Sequence, residues 1–285
     1  MTVPVFRFAP SPNGSLHLGH AYSALLNQQM AQNMGGRMLL RMEDIDRERC
    51  TPELEHSMLN DLEWIGLNWE QPVRRQSEHF PIYQEALDRL VKMELVYPAF
   101  LSRSGIKREI ERSNMDDWPR DPDGAPFYPP IERLLSKREQ QTRMARGDPY
   151  AWRLNMDRAL EAAGTQLIWH EFGSREHKVN ARPQDWGDVI IARRDMPTSY
   201  HLSVVIDDAL QGISHVVRGK DLYHATSVHR LLQHLFGIEP PLYHHHRLVL
   251  DNDGNKLSKS RRDTSLRSLR ERGVTRQEIC DLIGL

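Results

Sequence analysis

Residues 10–20 read PSPNGSLHLGH and lie between a short apolar run, residues 3–8, and a segment with helical spacing. Pro12, Asn13 and Gly14 supply turn chemistry and Ser15 suits a helix N-cap. Leu18, Leu25, Leu26 and Met30 then recur on one face until Gly35-Gly36 stops the helix. The stretch predicts strand, turn, helix. His17 and His20 stand three apart in the first turn. Both imidazoles therefore leave one side of the helix, beside the unpaired N–H groups and positive dipole end where polyanions bind. Taken as four residues alone, HLGH is explained equally well by histidines that merely cap or pack.

Around this stretch the composition is that of a globular chain. With 285 residues, 39% hydrophobic and 27% charged, it is long enough for one large core or two domains. A net charge of -1 and a pI near 6.9 give no global basic signature, so a nucleic-acid partner has to be argued from local charge. Cys50 and Cys280 form neither a disulfide framework nor a cysteine-rich metal site, and a reducing cytoplasm fits. No basic region followed by an apolar stretch opens the chain, and no run of about 18 apolar residues occurs, so no signal peptide or membrane span is expected.

Further along, RMLLRME at residues 37–43 reads as a second buried strand ending in the acidic cluster Glu43, Asp44 and Asp46. Thr51 and Pro52 start a helix that reaches Trp64 and stops at Gly66, and another helix covers residues 81–94. Strand and helix alternate, which predicts a parallel, doubly wound sheet with its ligand crevice at the carboxyl ends of the strands, beside the HLGH turn and Glu43. Over residues 97–186 the alternation fails: a Pro/Asp/Gly-rich WPRDPDGAPFYPP, a charged run at 137–146 and apolar pieces at 150–154 and 166–172 read as an inserted α+β subdomain. It returns with strands at 188–192 and 213–217, a helix at 200–210, and a helix capped by Asp221 and closed by Gly237. A strand at 246–250 and a turn-rich DNDGNKLSKSRR follow. The expected fold class is α/β, a split Rossmann-type sheet. Residues 1–96 and 187–250 form its halves, 97–186 the insertion, and 251–285 a loop with a short helical tail.

Two further features bear on chemistry. His244, His245 and His246 are consecutive, so an extended chain points them to alternate faces and they cannot easily share a metal. KLSKS at 256–260 offers two lysines and two hydroxyls after Gly254, a set that can wrap a polyphosphate, although alone it is also an ordinary solvated basic loop. From 256 to 276 eight Lys/Arg face two acidic residues, a footprint for a phosphate backbone or a solvated helix face.

HLGH after a first strand, paired with KLSKS after the last strand of a split nucleotide-binding fold, resembles the double signature of the class I aminoacyl-tRNA synthetases. RFAPSPNGSLHLGH, RMEDIDR, YHLSVVIDDALQGISHVVRG and KLSKS stand in the order of the glutamyl branch, and the likeness spans residues 5–262. Within that branch the chain resembles the short paralogous family, the glutamyl-queuosine tRNA(Asp) synthetases. It ends about 25 residues after Ser260, so no anticodon-binding domain is expected, and Val204 stands where full-length members generally carry Asn.

The resemblance implies activation of L-glutamate by ATP, with Mg2+, and esterification onto the queuosine base at the wobble position of tRNA(Asp). It places His17, His20, Lys259 and Lys256 around ATP. Arg7, Arg218 and Tyr200 would meet the substrate's side-chain carboxylate and Glu43 its ammonium, with Phe8, Ala9, Pro10 and Ser11 lining the amino-acid site. A cytoplasmic monomer without membrane contact is expected. Read without the family, Arg7 and Glu43 pair with each other, Tyr200 is half-buried core and Arg218 caps a strand. A minimal glutamyl-tRNA synthetase charging the 3′ end, or a nucleotide-binding module without synthetase activity, are the alternative functions. Many relatives hold a structural zinc through cysteines in YPCFC and YPGTC. Here Ala99, Leu101 and Glu132 occupy those three positions, and Tyr128 with one carboxylate cannot replace a thiolate site. No zinc is expected, and apolar packing that includes Leu101 should hold the insertion instead.

Overall fold

The computed structural model describes residues 2–173, 175–250 and 265–285. A strand buried on both faces reads as an unbroken apolar run, and β1 (Val5–Phe8) is buried at all four positions. It leads into α1 (Leu18–Asn33), β2 (Arg37–Met42), α2 (Pro52–Trp64), β3 (Glu70–Arg75) and α3 (Phe80–Lys92). Thr51 caps α2 by accepting from the Leu54 N–H, with Pro52 in the first turn. Gly66 stops that helix at φ +78°, and a Cβ there would lie 2.3 Å from the Arg276 guanidinium.

The central segment supplies β4 (Val96–Ala99), α4 (Arg103–Arg112), α5 (Lys137–Arg146), β5 (Ala151–Leu154), α6 (Met156–Ala163), β6 (Ile168–Glu171), β7 (His177–Asn180) and β8 (Ile190–Arg193). The chain then forms α7 (Tyr200–Leu210), β9 (His215–Gly219), α8 (Thr226–Phe236), β10 (Leu242–His246), α9 (Leu266–Glu271) and α10 (Arg276–Ile283). Seven strands build one sheet in the order β3-β2-β1-β9-β10-β6-β7, parallel except for the β6–β7 hairpin. Winding runs outward through β2 and β3 from one side of β1, and through β10 from the other side of β9. The β1–β9 boundary is thus a topological switch point, where α/β sheets open a crevice.

The parallel α/β sheet and the helical extension are as the sequence indicates, while several elements differ in detail. Residues 190–193, expected in the second half of the main sheet, form β8 in a separate antiparallel sheet, β4-β5-β8. The β6–β7 hairpin lies within residues 97–186 yet extends the main sheet, carrying the fully buried Trp169 into its core. The last parallel strand is Leu242–His246 rather than 246–250, because its register on β9 pairs Leu242 with His215 and His246 with Gly219. Asp221 does not cap α8; a 3₁₀ turn at Lys220–Leu222 intervenes and the helix begins at Thr226 without a side-chain cap. At the C-terminus α10 packs on α1 and α9 on α2, burying Ile279 and Ile283.

In the insertion Tyr97, Ala99 and Tyr128 form a small buried cluster, with Leu101 and Ile106 against it. Beside this apolar packing, in which Leu101 takes the expected part, stands a polar set that was not expected. Buried Glu132 accepts from the backbone N–H groups of Phe100 (2.7 Å) and Leu101 (3.3 Å) and from the Tyr128 hydroxyl, and pairs with Arg143 at 3.0 Å. Removing one member of such a set strands the other polar groups. Glu132→Ala should therefore destabilise the insertion by about 3–5 kcal/mol. The expected signature is faster amide exchange at Phe100 and Leu101 with β1 protection retained; unchanged exchange at both amides would remove Glu132 from this role.

Candidate active site

The first turn of α1 is closed by its own histidines, not by Ser15. His17 is the N-cap; its Nδ1 accepts from the Gly19 N–H at 3.1 Å, and the His20 Nδ1 accepts in return from the His17 N–H at 3.2 Å. This is a capping box made of two imidazoles, with ring centroids 3.8 Å apart. An Nδ1 that accepts carries no proton, so the neutral rings hold theirs on Nε2, where they can donate.

Both rings line a cavity of about 670 Å³ at the switch point. Its wall also contains Arg7, Phe8, Ala9, Pro10 and Ser11 from the end of β1, Glu43 just beyond β2, Tyr200 at the start of α7 and Arg218 of β9. Every anticipated site residue within the described part of the chain thus meets in one hollow. Lys256 and Lys259 lie outside the described residues. The flanks of that segment are at the same place: Leu248 and Val249 line the cavity, and the Leu266 N–H donates to the Leu16 carbonyl at 2.8 Å.

Sequence reasoning assigned no role to the acidic pair of α7 that organises the charges. Arg7 donates to Asp208 (3.1 and 3.4 Å) rather than pairing with Glu43. Fully buried Arg41 donates to Asp208 (2.7 Å) and Glu43 (3.2 Å). Asp207 takes Arg74 and Gln76, each at 2.8 Å, and the Tyr83 hydroxyl. Two consecutive acids directly after the mainly apolar run of residues 202–206, within one helix, were the available signal. Burial works against the Asp208 carboxylate, but Arg7 and Arg41 outweigh it and hold its pKa below the usual range. For Glu43 burial wins and raises the pKa, although Arg41 and Arg7 oppose it.

Arg7, Arg41 and Arg74 are thus matched by Glu43, Asp207 and Asp208. Arg218 is not. Only 5% exposed, it donates to the Tyr200 hydroxyl (3.2 Å), His229 (3.2 Å), His245 (3.1 Å), Thr226 (2.7 Å) and the Leu222 carbonyl (3.2 Å). No carboxylate among the described residues pairs with it. Burial and the Arg218 charge push the His229 pKa well down, and burial first, then Arg218, brings His201 to about 4, so both rings are neutral. A buried cation met only by neutral dipoles is a ready anion site. Arg7 adds Nη1, since Asp208 engages its Nε and Nη2.

A second cavity, about 420 Å³, adjoins the first through Tyr200. Phe127, Tyr128, Trp186, Arg153, Asp46 and Asp188 contribute to its wall, and the turn-rich stretch that supplies Phe127 gave no sign of it. The three consecutive histidines diverge: His244 meets the Phe172 carbonyl, His245 meets Glu171 and His246 meets the Arg247 carbonyl. Among the described residues no group of three or more His, Cys, Asp or Glu is placed to hold a metal, and no helix is long and apolar enough to cross a membrane.

A parallel sheet whose switch-point cavity joins a histidine-capped helix start to a buried arginine is the arrangement of a class I synthetase catalytic domain. Residues 3–285 match the family model for tRNA synthetases class I (E and Q), catalytic domain. The chain is 43% identical to Glutamyl-Q tRNA(Asp) synthetase of Rhodobacter capsulatus, over 99% of this chain and 100% of that one. It is 34% identical to a glutamate-tRNA ligase of Hydrogenobaculum sp., covering 98% of this chain but 57% of the longer relative. The crystal structure of a glutamate-tRNA synthetase from Elizabethkingia anophelis superposes with a TM-score of 0.73 at 28% identity, over 91% of this chain and 53% of that chain. The chain therefore belongs to the class I tRNA synthetase family, in its glutamyl-Q tRNA(Asp) synthetase branch, and is an ATP-dependent ligase.

The double use of His17 separates cap from chemistry. His17→Ala should cost about 1 kcal/mol of stability through the lost cap, whereas His17→Asn, another good N-cap, should nearly restore it. Both variants should lose at least about tenfold in amino-acid-dependent exchange of pyrophosphate into ATP, because neither supplies the Nε2–H donor. Full exchange in His17→Asn would leave His17 as a cap only.

Proposed function

We propose that the protein activates L-glutamate with ATP to glutamyl-adenylate and transfers the glutamyl group to the queuosine base at the wobble position of tRNA(Asp). The observation that carries this reading is the meeting of Arg218, buried without a counter-ion among the described residues, and the His17–His20 helix start in one cavity. The R. capsulatus relative, matched end to end, supports the choice of acceptor.

The substrate's side-chain carboxylate meets Arg218, with Arg7 Nη1 and the Tyr200 hydroxyl beside it. All five Arg218 N–H groups already have neutral acceptors, so the carboxylate displaces one of the 3.2 Å bonds. A carboxylate adds full Coulomb attraction to the bond a neutral acceptor makes with the same guanidinium, which favours that exchange in a buried site. Glu43 holds the ammonium. The α-carboxylate then attacks the α-phosphorus of ATP, an O–P bond forms, and pyrophosphate leaves with the electrons of the broken Pα–O bond. His17 and His20 donate to the phosphate oxygens, joined by Lys259 and Lys256. Each donor aimed at developing charge contributes about 2.7–4 kcal/mol. Magnesium would neutralise triphosphate charge, and such an ion usually keeps waters and binds largely through substrate phosphates. In the second step a hydroxyl of the queuosine cyclopentenediol attacks the glutamyl carbonyl and AMP leaves. The aromatic second cavity, sharing Tyr200, suits that nucleoside. One chain furnishes the groups named here from the described residues, and we take the active form to be a monomer.

The decisive measurement follows labelled glutamate into purified tRNA(Asp) with and without queuosine, then locates the label by nuclease mapping. Label in the anticodon loop that requires queuosine is expected. Label at the 3′ end would make the protein a minimal glutamyl-tRNA synthetase instead, and no exchange with any amino acid would leave a nucleotide-binding module. Arg218→Ala should raise the KM for glutamate about a hundredfold, as loss of a buried charge partner does, with the KM for ATP nearly unchanged; equal loss for both would make Arg218 structural. Since Glu43 must be ionised to hold an ammonium and its pKa is raised, glutamate KM should climb as pH falls into that range. Glu43→Gln should raise KM and abolish the climb, and a climb that persists would assign it to another group.

A further inference from the structure

Glu171, at the end of β6, is 7% exposed, does not line either cavity, and takes no part in the reaction described above. Its carboxylate is nonetheless fully engaged. Oε1 accepts from the Trp169 indole N–H (2.8 Å) and from the His245 Nδ1 (2.6 Å), and Oε2 from the His245 backbone N–H (3.2 Å). The other nitrogen of that ring, Nε2, accepts from Arg218 Nε–H at 3.1 Å and lies 3.1 Å from the Thr226 hydroxyl. The His245 side chain is 2% exposed, its ring is stacked on Tyr243, and the same Tyr243 ring lies 5.3 Å beneath the Arg218 guanidinium.

These contacts have one consistent proton assignment. An ionised carboxylate only accepts, so His245 must carry its proton on Nδ1, and Nε2 is then a bare acceptor facing the guanidinium. The opposite tautomer would set an N–H against the Arg218 Nε–H and turn the guanidinium away. The order continues on the far side of Arg218, where His229 Nδ1 accepts from Nη1 and His229 Nε2 faces His201 Nδ1 at 3.2 Å. Burial, partly offset by Glu171, brings the His245 pKa to about 4, so a neutral ring separates the carboxylate from the arginine. Glu171 therefore orients Arg218 without cancelling its charge.

We propose that Glu171 is a positioning residue for amino-acid recognition: through the His245 tautomer it fixes the orientation in which Arg218 presents its charge to the substrate's side-chain carboxylate. The proposal rests on the reading of Arg218 as the group that meets that carboxylate. It also gives the β6–β7 hairpin a task, since that hairpin brings Glu171 to the edge of β10.

The test is Glu171→Gln in the full chain, read by glutamate-dependent exchange of pyrophosphate into ATP. An amide serves either imidazole tautomer, so the KM for glutamate should rise about tenfold, in line with the loss seen when a ligand-orienting partner is removed. The KM for ATP should stay within about twofold. On an Arg218→Lys background, which itself raises the glutamate KM, Glu171→Gln should add nothing, because both act on one interaction. Nitrogen-15 shifts of the His245 ring should report Nδ1–H in the unaltered protein and a mixture in Glu171→Gln. Should that variant not fold, His245→Asn, whose amide can still reach Glu171 but not Arg218, should show the same split between glutamate and ATP.

An unchanged glutamate KM, an equal rise for ATP, effects that multiply in the double variant, or an Nε2–H ring in the unaltered protein would each overturn the proposal. If Arg218→Lys alone leaves the glutamate KM unchanged, the recognition role of Arg218 fails first. If it raises that KM while Glu171→Gln does not, only the role of Glu171 fails.

Discussion

Asp208 of α7 accepts from Arg7 on β1 at 3.1 Å and from Arg41 on β2 at 2.7 Å, so one carboxylate bridges two strands of the N-terminal half to a helix of the other half. Desolvating three charged groups costs several kcal/mol each and is recovered only where geometry and extra hydrogen bonds are good. Here Asp207 repeats the pattern with Arg74, Gln76 and the Tyr83 hydroxyl, tying β3 and α3 to the same helix turn. The acidic pair fixes how the two halves of the split sheet meet. The cavity opens at the β1–β9 switch point, beside the strands that the pair holds.

The same balance decides the sign of the cavity. Arg7, Arg41 and Arg74 are answered by Glu43, Asp207 and Asp208, whereas Arg218 at its wall is met by no carboxylate among the described residues. Five neutral acceptors and the face of Tyr243 make that charge tolerable in the interior without removing it. An anion that enters replaces dipoles with a full opposite charge, whereas a neutral amide of the same shape replaces one dipole with another. On the proposed function, that difference is what would separate glutamate from glutamine.

What the sequence made legible was local. The strand, turn and helix around HLGH, the Thr51-Pro52 start and Gly66 stop of α2, and the bounds of α7 depend on residues within a few positions of one another, where capping and periodicity operate. The cavity residues were assigned through the family resemblance those segments carry; without it Arg7, Glu43, Tyr200 and Arg218 had ordinary structural explanations. Contacts distant along the chain stayed hidden. Arg41 and Asp208 are 167 positions apart, and nothing local marks them as partners. β10 was placed too late because three histidines do not read as a strand of a covered sheet; the Phe172 carbonyl, Glu171 and the Arg247 carbonyl receive them there. Glu132 stood out as the replacement for a thiolate, while its four donors come from Phe100, Leu101, Tyr128 and Arg143, which only the fold assembles.

Capping and phosphate binding first stood as rival explanations of HLGH, and the geometry makes them compatible, because the cap uses only one nitrogen of each ring. The ring of His17 can accept from the Gly19 N–H because residue 19 has no Cβ; one built there would lie 3.0 Å from His17 Cε1 and 3.1 Å from Nδ1. Glycine between the histidines thus permits the close approach, and His20 returns the bond to the His17 N–H. Once both Nδ1 atoms are spent on the helix start, the remaining proton of each ring must sit on Nε2, and two donors are set in fixed orientation at the positive end of α1. A serine cap would satisfy the same backbone N–H with no ring nitrogen left over, whereas capping with His17 in place of Ser15 keeps an Nε2–H donor on each ring at the cavity wall, the feature on which the proposed phosphate role rests.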